Sequence, residues 1–484
     1  MELDFGGRVL VLGCGSVSQC LQPLLLKHLR MDYSKLTILD FEDNRAAAKP
    51  MLEAGARYVQ DRVTKENLAS LLGEHVGPGD LLVDLAWNID CNDITQWCHD
   101  NDVMYVNTSV EEWDPYSDAT SQPPTKRSLY HRHRLLRAQT STWRKDGPTI
   151  VVEHGANPGL VSHWTKVALL DIADAILRTR RPPKKRRAAI EAALESRDFA
   201  RLAMHTGVKV IHISERDTQI ADRPKEVDEF VNTWSVEGFR EEGVAPAELG
   251  WGTHERSLPP RAHTYDYGTM SQICLAQPGM DTWVRSWVPL GGEIRGMVIR
   301  HGEALTITEA LTVWEDGRPI YRPTVHYAYL PTDAAIASLL ELRMRNYQLQ
   351  PQVRIMTDEI VSGRDELGVL LMGHDLTSWW TGSQLDIEET RRLVPGQNAT
   401  TLQVAASVLG ALAWMIRNPR RGFNVPDDLP HEDVLAVAGP YLGPCPSVQS
   451  DWTPLRNRVD LFDGWGGTRR PPDDDVWQFS TFLA

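Results

Sequence analysis

The stretch Arg8-Val-Leu-Val-Leu-Gly13-Cys14-Gly15-Ser16-Val17-Ser18 decides how this chain is read. Residues 8–12 are a short apolar run that predicts a buried strand, and residues 16–30 predict a helix. Gly13 and Gly15 stand between them as the first two glycines of a Gly-x-Gly-x-x-Gly turn. Gly13 permits the tight turn. Gly15 lets the backbone approach a pyrophosphate, with Ser16 and Val17 opening the helix whose positive end receives it. Ser18 takes the third position and is small enough for helix and strand to pack closely. The next predicted strand, residues 36–40, ends on Asp40, 25 positions after Gly15. A carboxylate there accepts hydrogen bonds from the adenosine ribose and repels a 2′-phosphate, so the spacing predicts NAD rather than NADP.

Outward from this turn the alternation continues. Residues 46–54, 66–72 and 94–98 read as helices, and 56–59, 80–85 and 104–107 as strands. Strands separated by short helices imply parallel βαβ units. The fold class expected is therefore α/β, with a doubly wound parallel Rossmann sheet over residues 1–150. A strand at 149–153 then enters Gly155-Ala-Asn157-Pro158-Gly159, followed by a helix over about 161–177. Further strands are expected at 209–214, 231–236, 294–300, 304–308 and 324–328. Residues 151–375 thus read as a second, α+β domain on a mainly antiparallel or mixed sheet. Helices are expected at 333–344 and 400–417. Residues 376–484 read as a helical segment and tail packing back on the rest, with 471–475 as irregular surface chain.

The chain has 484 residues and a net charge of −14. That field repels phosphate backbones and attracts cations, which disfavours nucleic acid and suits a small basic molecule. One segment departs from it: residues 178–187 hold seven Lys or Arg in ten. This run reads either as a nucleic-acid or localisation patch or as an exposed linker broken by Pro182 and Pro183. The linker reading is preferred, because no aromatic residues are interleaved for base stacking. Six scattered cysteines, with no Cys-x-x-Cys pair, fit a reducing compartment and give no metal site. Glu2 and Asp4 are unlike a signal peptide. The longest apolar stretch, residues 404–416, falls short of the roughly 20 that span a bilayer and reads as a buried helix. A cytoplasmic protein with no membrane partner is expected.

Candidates for chemistry follow the predicted strand ends, where loops of an open α/β sheet meet ligands. They are Asn88, the run Asn107-Thr108-Ser109-Val110-Glu111, and Asn157 at a strand-to-helix turn within reach of a cofactor. Each is equally readable as a turn or cap residue. Farther on stand Glu215, Trp234, Glu242 and His301-Gly-Glu303. On a strand, His301 and Glu303 share a face and could orient one another as a base near neutrality, or be a plain surface pair. Trp234 is either core or an aromatic face beside Glu215 and Glu242 that suits an organic cation.

Over nearly its whole length the chain resembles the bacterial homospermidine synthase family, within the saccharopine-dehydrogenase-like proteins. The resemblance is carried by Gly13-x-Gly15, residues 155–159, His212-Ile-Ser-Glu-Arg-Asp-Thr218, Asn232-Thr-Trp-Ser-Val-Glu-Gly238, Pro246-Ala-Glu-Leu-Gly-Trp-Gly252, Tyr321-Arg-Pro-Thr324, His326-Tyr-Ala-Tyr329, Glu366-Leu-Gly-Val-Leu370, Gly373-His-Asp375 and Gly382-Ser-Gln384. It implies a homodimer that joins two putrescines into homospermidine and releases ammonia, through an imine reduced by bound NADH. The second domain would bind substrate and form the dimer. A polyamine pocket of Asn88, Glu111, Asn157, Glu215, Trp234, Glu242, His301 and Glu303 is implied, with His301, Glu303, Glu215, Asn157 and Trp234 in the chemistry. NAD would be held by Gly13, Gly15, Ser16, Val17, Asp40, Thr108, Asn157 and Pro158. Asn88 departs from the family's aspartate, and Asp90 is a near alternative. His301 or a neighbouring glutamate is the expected base. The competing readings are a saccharopine- or carboxynorspermidine-dehydrogenase-like enzyme consuming free NAD(P)H, and a non-catalytic NAD-sensing or scaffold protein.

Overall fold

A computed structural model describes residues 2–115, 121–459, 461, 462, 465 and 476–484; the irregular stretch expected at 471–475 lies outside the described residues. The first half alternates β1 (Val9–Leu12), α1 (Ser16–His28), β2 (Leu36–Asp40), β3 (Arg57–Gln60), α2 (Leu68–His75), β4 (Leu81–Asp84), α3 (Cys91–Asp100), β5 (Met104–Asn107), α4 (Leu129–Thr140) and β6 (Ile150–Val151). β1, β2, β4, β5 and β6 are buried along their whole length. Helices cover both faces of such a sheet, so its strands read as continuous apolar runs rather than alternating ones. The order is β3-β2-β1-β4-β5-β6, all parallel, and Phe423–Asn424 pairs with β6 as a seventh strand. The order reverses between β1 and β4, which opens a crevice at their carboxyl ends.

The second half carries α5 (Leu160–Thr179), β7 (Val210–Asp217), α6 (Val236–Val244), β8 (Pro246–Gly250), β9 (Gln272–Pro278), β10 (Gly292–Met297), α7 (Glu303–Ala310), β11 (Thr324–Leu330), β12 (Arg364–Met372), β13 (Ser378–Asp386) and α8 (Ala399–Arg417). Its ten-stranded sheet runs β9-β8-β11-β7-β12-β13 through the middle, with β10 joined to β11. β7 and β11 are parallel and the other pairings in this run are antiparallel, so the sheet is mixed. α8 packs along α1 and joins the two halves into one core. It has the length and apolar composition of a membrane span, yet 89% of its most apolar window is buried inside the protein.

Four expectations are corrected. Residues 304–308 are not a strand but the middle of α7; their Thr and Ile side chains are buried, and tertiary packing overrides local β preference. His301 and Glu303 therefore do not share a strand face; His301 precedes that helix and Glu303 opens it. The strand expected at 231–236 ends at Asn232, because Ser235 caps α6 by accepting from the Gly238 amide. The region after residue 344 holds the two longest strands of the second sheet, β12 and β13, where mainly helix was expected. The basic run divides as its prolines suggest: α5 ends at Thr179 and a helix restarts at Lys184.

Candidate active site

A cavity of about 710 Å³ runs from the glycine turn to the start of α7 and is lined by both halves of the chain. At one end lie Gly13, Gly15, Ser16, Val17 and Asp40. Gly13 has φ +86, and a Cβ there would stand 2.8 Å from the Leu85 carbonyl, so only glycine fits. A Cβ at Gly15 would meet nothing within 4 Å, because this residue faces the open cavity. Gly15 caps α1 without any side-chain hydrogen bond, which leaves the first-turn amides free for an anion. The Asp40 carboxylate accepts from the amides of Cys14 (2.5 Å) and Glu42 (2.8 Å), fixing it beside the turn. A carboxylate has about four acceptor positions, so capacity remains for two ribose hydroxyls. Arg45 is turned to Asp43 at 2.8 Å. The described residues therefore fit a dinucleotide. Sequence reasoning missed Phe41 and Arg62, which line this end as a pair with the guanidinium 4.4 Å from the ring centre.

Thr108, Asn157 and Pro158 line the middle of the cavity. The turn after β6 is closed by Gly159 at φ +133, where a Cβ would collide with the Gly155 carbonyl at 1.7 Å. That turn aims the Asn157 amide at Glu215 Oε2, 3.0 Å away. β7 places Glu215, and the adjoining β11 places Tyr327, whose hydroxyl donates to the same oxygen. Glu215 is buried, and burial raises its carboxyl to about 7, with the Tyr327 hydrogen bond opposing. Behind it on the same sheet face stand Asp217 and Asp365, cross-strand partners whose carboxyls are both raised by burial.

His301 lies between two glutamates: Nε2 donates to Glu242 at 2.9 Å, and Nδ1 stands 3.4 Å from Glu303. Burial opposes its charge, yet Glu242 and Glu303 hold its imidazole well above the usual range. This pairing favours the protonated imidazole. Glu303 is fully buried and is not among the residues lining the cavity; its carboxylate faces His301. Trp234 is half-buried: its Nε1 donates to the Tyr329 hydroxyl at 3.2 Å and it packs against Phe239, while it also lines the cavity. It therefore packs into the core on one side and is exposed to the cavity on the other.

Asn88 lines the cavity with φ +64 and is bound to Asp114, whose amide donates to Asn88 Oδ1 at 2.7 Å. Asp90 does not replace it, since its carboxylate caps α3 by accepting from the Asn92 and Asp93 amides. Glu111 lines the cavity; burial and then Glu241 raise its carboxyl to about 8. Two arginines that sequence reasoning missed, Arg132 and Arg300, also line it, and both are bound to Glu241. Burial alone would raise the Glu241 carboxyl, but Arg300 and Arg132 take it down to about 2. Glu153, also missed, lines the cavity beneath Gly302. No spacing rule could have found these three, because α4, the approach to α7 and the end of β6 meet only in the folded chain. Among the described residues no cluster of three or more His, Cys, Asp or Glu is arranged to hold a metal ion.

The saccharopine dehydrogenase NADP binding domain matches residues 9–151, and the saccharopine dehydrogenase C-terminal domain matches residues 155–445. The chain is 42% identical to a homospermidine synthase of Blastochloris viridis, covering 99% of this chain and 97% of that one. It is 39% identical to a homospermidine synthase of Mesorhizobium japonicum at the same coverage. Among solved structures, homospermidine synthase of Legionella pneumophila in complex with NAD superposes with a TM-score of 0.87 at 35% identity, covering 100% of this chain and 99% of that one.

Proposed function

The chain belongs to the homospermidine synthase family, and from that membership we propose that it joins two putrescines into homospermidine and releases ammonia, with NAD as cofactor. The observation that carries the reading is the joining of a dinucleotide cradle and an acidic, aromatic pocket in one cavity. Bound NAD supplies a hydride acceptor that can also return the hydride. The chain's own residues do the rest. Glu242 and Glu215 attract the diamine's ammonium groups. Glu215, titrating near neutrality, takes the proton that must leave an amine before its α-carbon can be oxidised. Asn157 and Tyr327 fix the carboxylate in place for that transfer. His301, held as a cation by Glu242 and Glu303, gives a proton to the departing ammonia. The Trp234 face stabilises the cationic imine. Water must be excluded from the site, or the imine hydrolyses to an aldehyde.

A reductive enzyme acting on a carboxylated substrate needs a cation free to bind the carboxylate. The arginines at the substrate end, Arg132 and Arg300, are both engaged by Glu241, and His301 is engaged by Glu242. Asp40 further favours NAD over NADP. The free cysteines fit work in the cytoplasm, and the family resemblance points to a homodimer. The test is mass analysis of products from putrescine plus NAD. Homospermidine and ammonia without net NADH are expected; stoichiometric NADH, or no consumption of amine, refutes the reading.

A further inference from the structure

Glu153, like Glu111, is a cavity carboxylate that the mechanism above leaves unused. It follows β6, at the carboxyl end of the parallel sheet, with φ +58, a left-handed backbone uncommon for a residue with a side chain. Such a conformation persists where the surroundings hold it, and these positions cluster at functional sites. Here the hold is the Asn107 side chain, whose Oδ1 accepts from the Glu153 amide at 2.8 Å. The conformation aims the carboxylate across the cavity wall at α7. A Cβ on Gly302 would stand 1.9 Å from Glu153 Oε2, so the carboxylate occupies space that any other residue there would fill. On its other side His133 Nε2 hydrogen-bonds to Glu153 Oε2 at 2.9 Å. His133 is fully buried on α4, and its Nδ1 has no hydrogen-bond partner among the described residues. The pair is a carboxylate–imidazole dyad with one end in the cavity.

The chemistry, which rests on the reading above, calls for a second acceptor. Two alkylammonium groups enter. The first sheds a proton so that hydride can leave its α-carbon. The second sheds a proton so that its lone pair can attack the resulting iminium carbon. A new C–N bond forms there, and the bond to the first nitrogen breaks as ammonia leaves. The hydride returns to the same carbon, so no electrons are gained or lost. His301 passes a proton from the newly bonded nitrogen to the one that leaves and is restored; of the two stored protons, one then goes to the new secondary amine and the other to free ammonia. When the new bond forms, the protein holds both protons at once. Glu215 accounts for one.

We propose that Glu153 is the second proton acceptor of this site, with His133 as the positioning residue that orients its carboxylate and shares the proton. Glu215 and Glu153 then serve different half-reactions, oxidation of the first amine and attack by the second.

The experiment follows both half-reactions in the NAD-loaded enzyme mixed with putrescine: reduced nicotinamide absorbance reports the first, and homospermidine formation the second. Glu215→Gln is expected to lower both signals by at least about 100-fold, because the second half-reaction consumes the product of the first, whereas Glu153→Gln should leave the first within about threefold and slow the second by at least about 100-fold. The variant blocked in the second should accumulate reduced nicotinamide up to the enzyme concentration. His133→Leu should slow the same half-reaction as Glu153→Gln, and His133→Gln, which keeps a donor, should restore part of it. Normal rates for Glu153→Gln would overturn the proposal, as would an equal loss of both signals in that variant. If Glu153→Gln fails to fold, the same two outcomes are read from the His133 pair. Wild-type enzyme that forms neither reduced nicotinamide nor homospermidine would instead refute the underlying activity.

Discussion

At the scale of single residues, burial sets what each carboxyl can do. Glu215 titrates at about 7 in the folded chain against an ordinary value of 4.5. Between those values the folded state binds more protons than the unfolded one. Its contribution is therefore favourable at low pH and lost as pH rises through about 7. Glu215→Gln should abolish activity and raise melting temperature, with a larger gain at about pH 8 than at about pH 5. Equal gains at both would show that Glu215 is not held protonated. In wild type the rate should fall as pH drops below about 7, since the base is then protonated, which a pH–rate profile checks. Asp40→Asn keeps an acceptor for the loop amides but removes the charge beside the ribose. NAD binding should weaken and NADP should be discriminated against less; an unchanged ratio of dissociation constants would place Asp40 away from the ribose. Trp234→Leu keeps apolar bulk and removes the ring quadrupole. A loss of roughly 0.5–2 kcal/mol, about two- to thirty-fold in rate or affinity, is expected. Melting temperature and putrescine kinetics on the same samples separate this from a cavity left in the core. Asp40 and Trp234 were legible in the sequence because each lies in a short local pattern. Glu153, Arg132 and Arg300 were not, since their roles depend on partners far away in the chain.

At the scale of elements, the first sheet was readable because buried parallel strands are continuous apolar runs between turn glycines. α7 was misread because Ala304-Leu-Thr-Ile-Thr308 has the composition of a strand. It is helical because it lies between β8 and β11 with nearly every side chain buried. The approach is close: a Cβ on Gly250 of β8 would stand 1.8 Å from Thr308 Oγ1 and 2.6 Å from the Ala304 carbonyl. Gly250→Ala must push α7 away from the sheet. A destabilisation of about 1–3 kcal/mol is expected, as for other overpacked cores. Activity per folded molecule should also fall, because the start of α7 carries His301. Denaturant unfolding and kinetics at matched folded fraction check this; a stability loss with normal kinetics would mean that the helix start tolerates the shift.

At the scale of the whole molecule, oxidation and reduction share one cavity, so hydride should not exchange with free cofactor. Putrescine deuterated at its α-carbons should give homospermidine that retains the label at the new bond even with excess unlabelled NADH. Loss of label to the pool would show that the cofactor leaves between the half-reactions. The sequence by itself determined the dinucleotide turn, the parallel alternation, the acidic character and the set of polar residues bearing the family resemblance. Those are local or additive properties: a turn needs its own glycines, a buried strand its own apolar run, and charge is a sum. Tertiary structure decided which of these residues are chemically distinct. The charged form of His301 is favoured because Glu242 and Glu303 close on it from two elements. Glu241 neutralises arginines from α4 and from the approach to α7. Glu303 is cut off from the cavity. Such differences arise from desolvation and from charge pairs across long sequence separations, and these exist only once both sheets and α8 have closed around one cavity.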